Sequence, residues 1–176
     1  MQKSVLVEIV RSLSRKEVRE IHKWLQSPAH NQREDVVRLF DFLSKNLTDD
    51  EEDSVEKSRA WKAVYPKEPF DDARMRQVMY FLLKALEEYL VFEDSAADQA
   101  KYLGTLTKIY RSRKLDKAYR QAYRQGRDYL EKQPLRNGYY LMHAYFFDLE
   151  EYNHRLPISQ NAPVNLQESA NALEKW

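Results

Sequence analysis

Between Asp71 and Asp94 the chain reads DDARMRQVMYFLLKALEEYLVFED, and this stretch constrains the fold more than any other. At 100° per residue, Met75, Val78, Met79, Leu82, Leu86, Tyr89 and Leu90 fall on one face. Phe81 and Leu83 widen that face on either side, so the apolar arc spans roughly 200°, well beyond the ~100° stripe of a surface helix. Only Arg76, Gln77, Lys84, Glu87 and Glu88 are left as a strip for water. A helix of this kind needs cover on several sides, and the remaining segments are expected to supply it.

Those segments are themselves helical. The chain has only 3 Gly, and its 6 Pro all lie between apolar-periodic stretches. A β-rich chain needs turn glycines at short intervals, so this usage favours long helices with sharp joints. The expected fold is all-α: a bundle or short α-solenoid of about eight antiparallel-packed helices around the buried central helix 71–94. Its length of 176 residues suits one domain or two helical halves, drawn here as 1–94 and 95–176.

In chain order, Val5, Leu6, Ile9, Val10 and Leu13 give a first helix over 3–13. Ser14 and Glu17 have the spacing of a capping box. The helix behind them places Val18, Ile21, Trp24 and Leu25 inward, and Ser27-Pro28 stops it. Asn31 to Glu34 repeats the capping pattern ahead of Val36, Leu39, Phe40 and Leu43. Asp49 to Asp53 is DDEED, which reads as a solvated loop whose last acid, or Ser54, caps a helix over 55–65 with Trp61 and Val64 inward. It lacks the Asp-x-Asp-x-Asp-Gly pattern of a calcium loop. After a break at Ser95, a helix over 97–112 should bury Ala100, Leu103, Leu106, Thr107 and Tyr110. Asp116 caps the next, over 117–132, whose inward residues are Ala118, Tyr119, Ala122, Tyr123, Gly126 and Leu130. Asn137 caps a helix over 138–154 facing its core with Leu141, Met142, Tyr145, Phe146 and Leu149. Short joins make these three antiparallel neighbours. Leu156 to Pro163 is a linker, and a further capping box at Asn165 opens a segment with Leu166, Ala170 and Leu173 at helical spacing.

Chemistry is hard to place on this chain. Without cysteine it has neither disulfides nor thiolate ligands. No phosphate-cradling glycine loop, Gly-x-Ser-x-Gly or His-Glu-x-x-His is present. His22 reads as an interface-edge residue and not as a base. Glu151 to His154 is a single Glu-x-x-His, and His143, Glu150 and His154 share a helix face, a weak three-ligand pattern; di-iron bundles need two such motifs and two more inward Glu. No catalytic residue, metal site or cofactor is therefore assigned, and the chain is expected not to be an enzyme. A net charge of +1 gives no bulk attraction to nucleic acid or membrane. The N-terminus has no signal-peptide cleavage pattern and no stretch reaches a membrane span, so the cytoplasm is the expected compartment.

One constellation remains. Arg113, Lys117, Arg120, Arg124 and Arg127 step by 4, 3, 4 and 3, a single stripe opposite the apolar face. Nine Lys and Arg against three acids between Lys108 and Lys132 give a local balance of 9 − 3 = +6. Tyr110, Tyr119, Tyr123 and Tyr129 interleave with them, which admits phosphate neutralisation with base stacking. Tyr119 and Tyr123 also belong to the apolar face, which favours a core role for them. Solvation, pairing with DDEED, or an acidic protein surface accounts for the stripe as well.

Trp24 to Asn31 (WLQSPAHN) and Trp61 to Arg76 (WKAVYPKEPFDDARMR) resemble segments of an uncharacterised all-helical protein family of Bacteroidota. His30 and Lys67 depart from that family's pattern, which has an aromatic before the Asn and a Pro-Gly near Pro66. The resemblance continues loosely through Lys132 to Arg136. It implies a bacterial helical protein with no assigned activity, and further helical hairpins beyond Trp176.

These readings converge on a non-enzymatic protein–protein interaction or scaffold module. The tetratricopeptide pattern does not fit, because Leu106, Thr107 and Tyr119 sit where it wants small residues. The alternative is weakly sequence-specific nucleic-acid binding through 113–127. A helix-turn-helix drawn from 55–65 and 71–94 is disfavoured because Glu87 and Glu88 would face phosphate. Leu166, Ala170, Leu173 and Trp176 are the expected self-association residues, with 164–176 packing on the preceding hairpin, which makes a homo-oligomer one expected partner state.

Overall fold

In the computed structural model, residues 4–46 and 56–156 are described. Among them are eight helices and no strand: α1 (Val5–Ser12), α2 (Arg15–Gln26), α3 (Glu34–Asn46), α4 (Lys57–Val64), α5 (Asp72–Ala97), α6 (Gln99–Ser112), α7 (Asp116–Glu131) and α8 (Gly138–Arg155). The all-α expectation holds. DDEED with Ser54, and 157–176 with Leu166, Ala170, Leu173 and Trp176, lie outside the described residues. The chain divides into two compact units, Met1–Phe92 and Glu93–Trp176, the division falling within α5.

The first unit is built by aliphatic periodicity. Leu6, Val7, Val10, Ile21, Leu25, Val36, Leu39, Phe40 and Leu43 share one buried cluster with Ala60, Trp61 and Val64 of α4. Met75, Val78, Leu82, Ala85, Leu86 and Tyr89 of α5 complete it. The Ser14 capping box forms as expected: the Glu17 amide donates to Ser14 Oγ at 3.2 Å, and the Ser14 amide donates to the Glu17 carboxylate at 2.6 Å. Asn31 does something else. Its carboxamide donates to the Leu25 carbonyl at 2.8 Å and accepts from the Arg33 amide at 3.0 Å. It thus satisfies one of the orphan carbonyls ending α2 and turns the chain toward α3. The cap of α5 is Asp71, which accepts the Ala73 and Arg74 amides at 2.9 and 3.0 Å.

Two expectations for the central helix are corrected. It does not break at Ser95 but runs 26 residues to Ala97. Ser-Ala-Ala tolerates helix, and the stop comes at Asp98, whose extended backbone and side chain cap α6 through the Lys101 amide at 2.9 Å. Nor is its apolar arc covered all round. Tyr80, Phe81 and Val91 are exposed, leaving one buried stripe with Met79, Leu83 and Leu90 at its half-buried margins. The exposed rings are amphipathic neighbours of cations instead: the Arg33 guanidinium lies 4.4 Å from the Phe81 centroid and Lys84 Nζ 5.8 Å from that of Tyr80.

In the second unit α6, α7 and α8 pack pairwise. The α6–α7 joint is a Schellman turn: the Lys114 amide donates to the Arg111 carbonyl and the Leu115 amide to that of Tyr110. Lys114 takes the left-handed position with φ 56°. Leu115 precedes α7, so Asp116 is its first residue and not its cap. Gly126 is a close-approach glycine: a Cβ there would enter the ring of fully buried Phe147. Tyr119, Ala122, Gly126 and Leu130 are buried as expected, with Ala118 and Tyr123 half-buried. On α6 the buried set is Ala100, Leu103, Gly104 and Thr107, while Leu106 and Tyr110 are only half-buried.

The inward face of α8 is also a correction. The expected residues Leu141, Tyr145, Phe146 and Leu149 are half-buried and Met142 is 51% exposed, whereas His143, Phe147 and Glu150 are buried. Polar side chains reach inward because partners meet them, Arg111 of α6 opposite Glu150 and Asp98, the cap of α6, opposite His143.

Candidate functional site

The interior of the second unit fixes its surface. Arg111 of α6 grips Glu150 with two bonds, Nε to Oε2 at 2.7 Å and a terminal nitrogen to Oε1 at 3.3 Å. That carboxylate bond raises the Arg111 pKa against the opposing effect of burial. Tyr119 donates its hydroxyl to the Glu150 carbonyl at 3.3 Å, and Tyr123 donates to the Glu151 carboxylate at 2.6 Å. Burial, followed by the Glu151 carboxylate, pushes both phenols well above their ordinary range. Glu151 is also bonded by Arg155, one turn on. The His154 ring stacks on Tyr119 at 3.9 Å with planes 6° apart, while its Nε2 sits 3.3 Å from Asp116.

Each stripe residue can now be placed. Arg113 belongs to the C-cap of α6, ahead of the Schellman turn, so the stripe is not one continuous helix. Arg127 is tied to Asp148 at 2.7 Å. Lys117, Arg120 and Arg124 remain as exposed cations on one line of α7. Among the described residues, no acid is bonded to these three. They share one open face of α7 with Asp116, Gln121 and Gln125. Arg120 and Arg124 also line a groove, of about 480 Å³, running between α7 and α8 over Tyr119, Tyr123, His154 and Arg155.

The three-ligand pattern on α8 does not assemble. Glu150 is committed to Arg111, His154 faces Asp116, and His143 lies 3.9 Å from Asp98, whose other oxygen accepts from Tyr139 at 2.5 Å. Burial lowers the His143 pKa despite Asp98. Among the described residues no group of three His, Asp or Glu is arranged to hold a metal ion. His22 bridges α2 to Asp41 of α3 at 3.1 Å. On α5, Arg76 pairs with Asp72 and Lys84 with Glu87, so the helix-turn-helix drawing lacks a free donor row. Among the described residues no helix is long and apolar enough to cross a membrane.

The α7–α8 groove was half visible in sequence. The cations on α7 show at i, i+3 and i+7, and His154 shows only as part of a weak ligand pattern, while nothing in the apolar pattern sets the exposed Arg155 opposite α7. No family model matches the chain, and no curated protein or solved structure matches it either.

Proposed function

We propose that this chain is a non-enzymatic helical binding module whose working surface is the cationic face of α7, and that its partner is an acidic segment of another protein. One observation carries the reading: Lys117, Arg120 and Arg124 stand exposed on one line of an open helix face, unpaired among the described residues. An acidic helix or extended strand with carboxylates one helical turn apart matches that line in charge and pitch.

Nucleic acid is the weaker alternative. Of the rings that would stack bases, Tyr119 is buried with the His154 ring already stacked on it, and Tyr123 is half-buried. With Arg127 paired, few phosphates can be neutralised, so any such binding would be weak and quickly lost in salt. A bacterial origin, the kinship with the Bacteroidota helical family and a cytoplasmic setting belong to the same proposal. So does self-association, for which Leu166, Ala170, Leu173 and Trp176 are the candidate residues.

The test is fluorescence anisotropy of a helical peptide bearing Glu at i, i+4 and i+7, titrated with the full chain at 50 and 300 mM salt. The expected result is salt-sensitive binding that weakens roughly tenfold when Arg120 and Arg124 are both replaced by Glu. Equal binding by the charge-reversed chain, or tighter binding of a random oligonucleotide, would sink the proposal.

A further inference from the structure

We infer that the α7–α8 groove is a phosphoryl-binding site, and that it takes a phosphomonoester carried on the partner segment, as phosphoserine or phosphothreonine. The inference rests on the protein-binding reading above and names the chemical group that the groove selects.

The groove is more than a charged strip. One wall carries Arg120 and Arg124, one helical turn apart; the other carries Arg155; Tyr119 and Tyr123 lie between them. Its carboxylate, Glu151, already accepts from both the Tyr123 hydroxyl and Arg155. That charge is therefore answered from within the protein, and the two guanidiniums of α7 are left over. Each guanidinium offers five N–H donors in a fixed fork, of which Arg155 spends one on Glu151. A carboxylate, with two oxygens and one charge, can occupy one such fork. A phosphomonoester has three terminal oxygens and a charge near −2 above its second pKa of about 6, which suits two forks at once.

The positions of these walls are also fixed. Tyr119 is buried and holds the Glu150 carbonyl, while His154 stacks on it with planes 6° apart and reaches Asp116. The α7 and α8 walls are thus held together by bonds that a ligand need not supply, so little ordering free energy is lost on binding. A volume of about 480 Å³ leaves room for a peptide side chain around the phosphoryl group. Nucleic-acid phosphates are diesters with a single charge and lack the third free oxygen, so they fit this group less well.

Four probes test this on the full chain at pH 7.5: a phosphoserine peptide, the same peptide with Glu at that position, inorganic phosphate, and adenosine monophosphate. The phosphopeptide should bind at least tenfold tighter than the Glu peptide, and more tightly than either small phosphate. That advantage should shrink as pH falls below about 6, where the second phosphate charge is lost. Arg124→Lys keeps the charge at an exposed position but removes the fork. It should lower the phosphopeptide-to-Glu ratio while leaving the melting temperature nearly unchanged. Equal binding of the phospho and Glu peptides overturns this inference and leaves the acidic-partner reading standing. Adenosine monophosphate binding as tightly as the phosphopeptide overturns the peptide source. Failure of both peptides overturns the protein-binding reading as well.

Discussion

The two units of this molecule bury their helices by different means. In the first, α1 to α5 share a contiguous cluster of aliphatic and aromatic side chains, with polar contacts at its margins. In the second, the contiguous apolar cluster among the described residues is Ala100, Leu103, Leu130 and Phe147, and side-chain bonds from α6 and α7 to α8 supplement it. A non-directional apolar core tolerates smooth faces anywhere along a helix. Directional bonds fix which residues face one another, and here they join the helices whose Arg120, Arg124 and Arg155 line one groove. Among the described residues, the unit with the smaller apolar cluster is the one that carries the polar groove.

Removing one partner of the buried ion pair should break the second unit hardest. Arg111→Ala leaves Glu150, 5% exposed at its side chain, without its counterion, at a cost of about 3–5 kcal/mol in chemical denaturation. The double change Arg111→Met with Glu150→Leu should recover most of that loss, since an apolar pair can replace a buried ionic one. If the double variant is as unstable as the single one, the pair is not what matters there. In the first unit Leu39→Ala, at a fully buried site, should cost about 2–5 kcal/mol, and no paired polar change there should mimic it.

The close approach of α7 and α8 gives a smaller effect. Gly126→Ala drives a methyl into the buried Phe147 ring and should cost about 1–3 kcal/mol, despite the better helix propensity of Ala. Gly104 is the control, because a Cβ there meets the half-buried Phe146 ring at 3.0 Å, which can give way. Gly104→Ala should be near neutral in the same melts, and equal losses at both sites would contradict the packing described.

The smallest effect concerns pH. Burial holds His143 below its ordinary value of 6.5, opposed by Asp98 and assisted by Lys101. The unfolded chain therefore binds that proton more readily than the folded one. Stability is full above pH 6.5 and declines as pH falls from there toward the lowered folded value. Thermal melts at pH 7.5 and 5.5 should show a loss that His143→Phe diminishes. A variant whose pH profile runs parallel to the parent's would remove His143 from the account.

The same contrast explains what could be read from sequence. Ile21, Leu25, Leu39 and Leu82 announce themselves because apolar residues at helical spacing have no competing reason to lie there. Phe81 has the same signal but sits outside, covered by the Arg33 guanidinium, a contact that periodicity does not register. On α8 the pattern pointed to Leu141, Met142 and Leu149, because His143 and Glu150 look like surface residues until Arg111 and Asp98 are set opposite them. The α7 cations were legible as a row. Their division into paired Arg127, the displaced Arg113 and the exposed trio was not, since it depends on Asp148 and on the turn at Lys114.

The most direct measurement is a nitrogen-detected NMR titration of the full chain with the Glu-bearing helical peptide, following backbone amides and arginine Nε–H groups. The account predicts shifts concentrated at Lys117, Arg120, Arg124 and Arg155, suppressed by salt, with the first unit silent. Shifts centred on the exposed rings of the first unit, Tyr80 and Phe81, or no shifts at all at 50 mM salt, would contradict it.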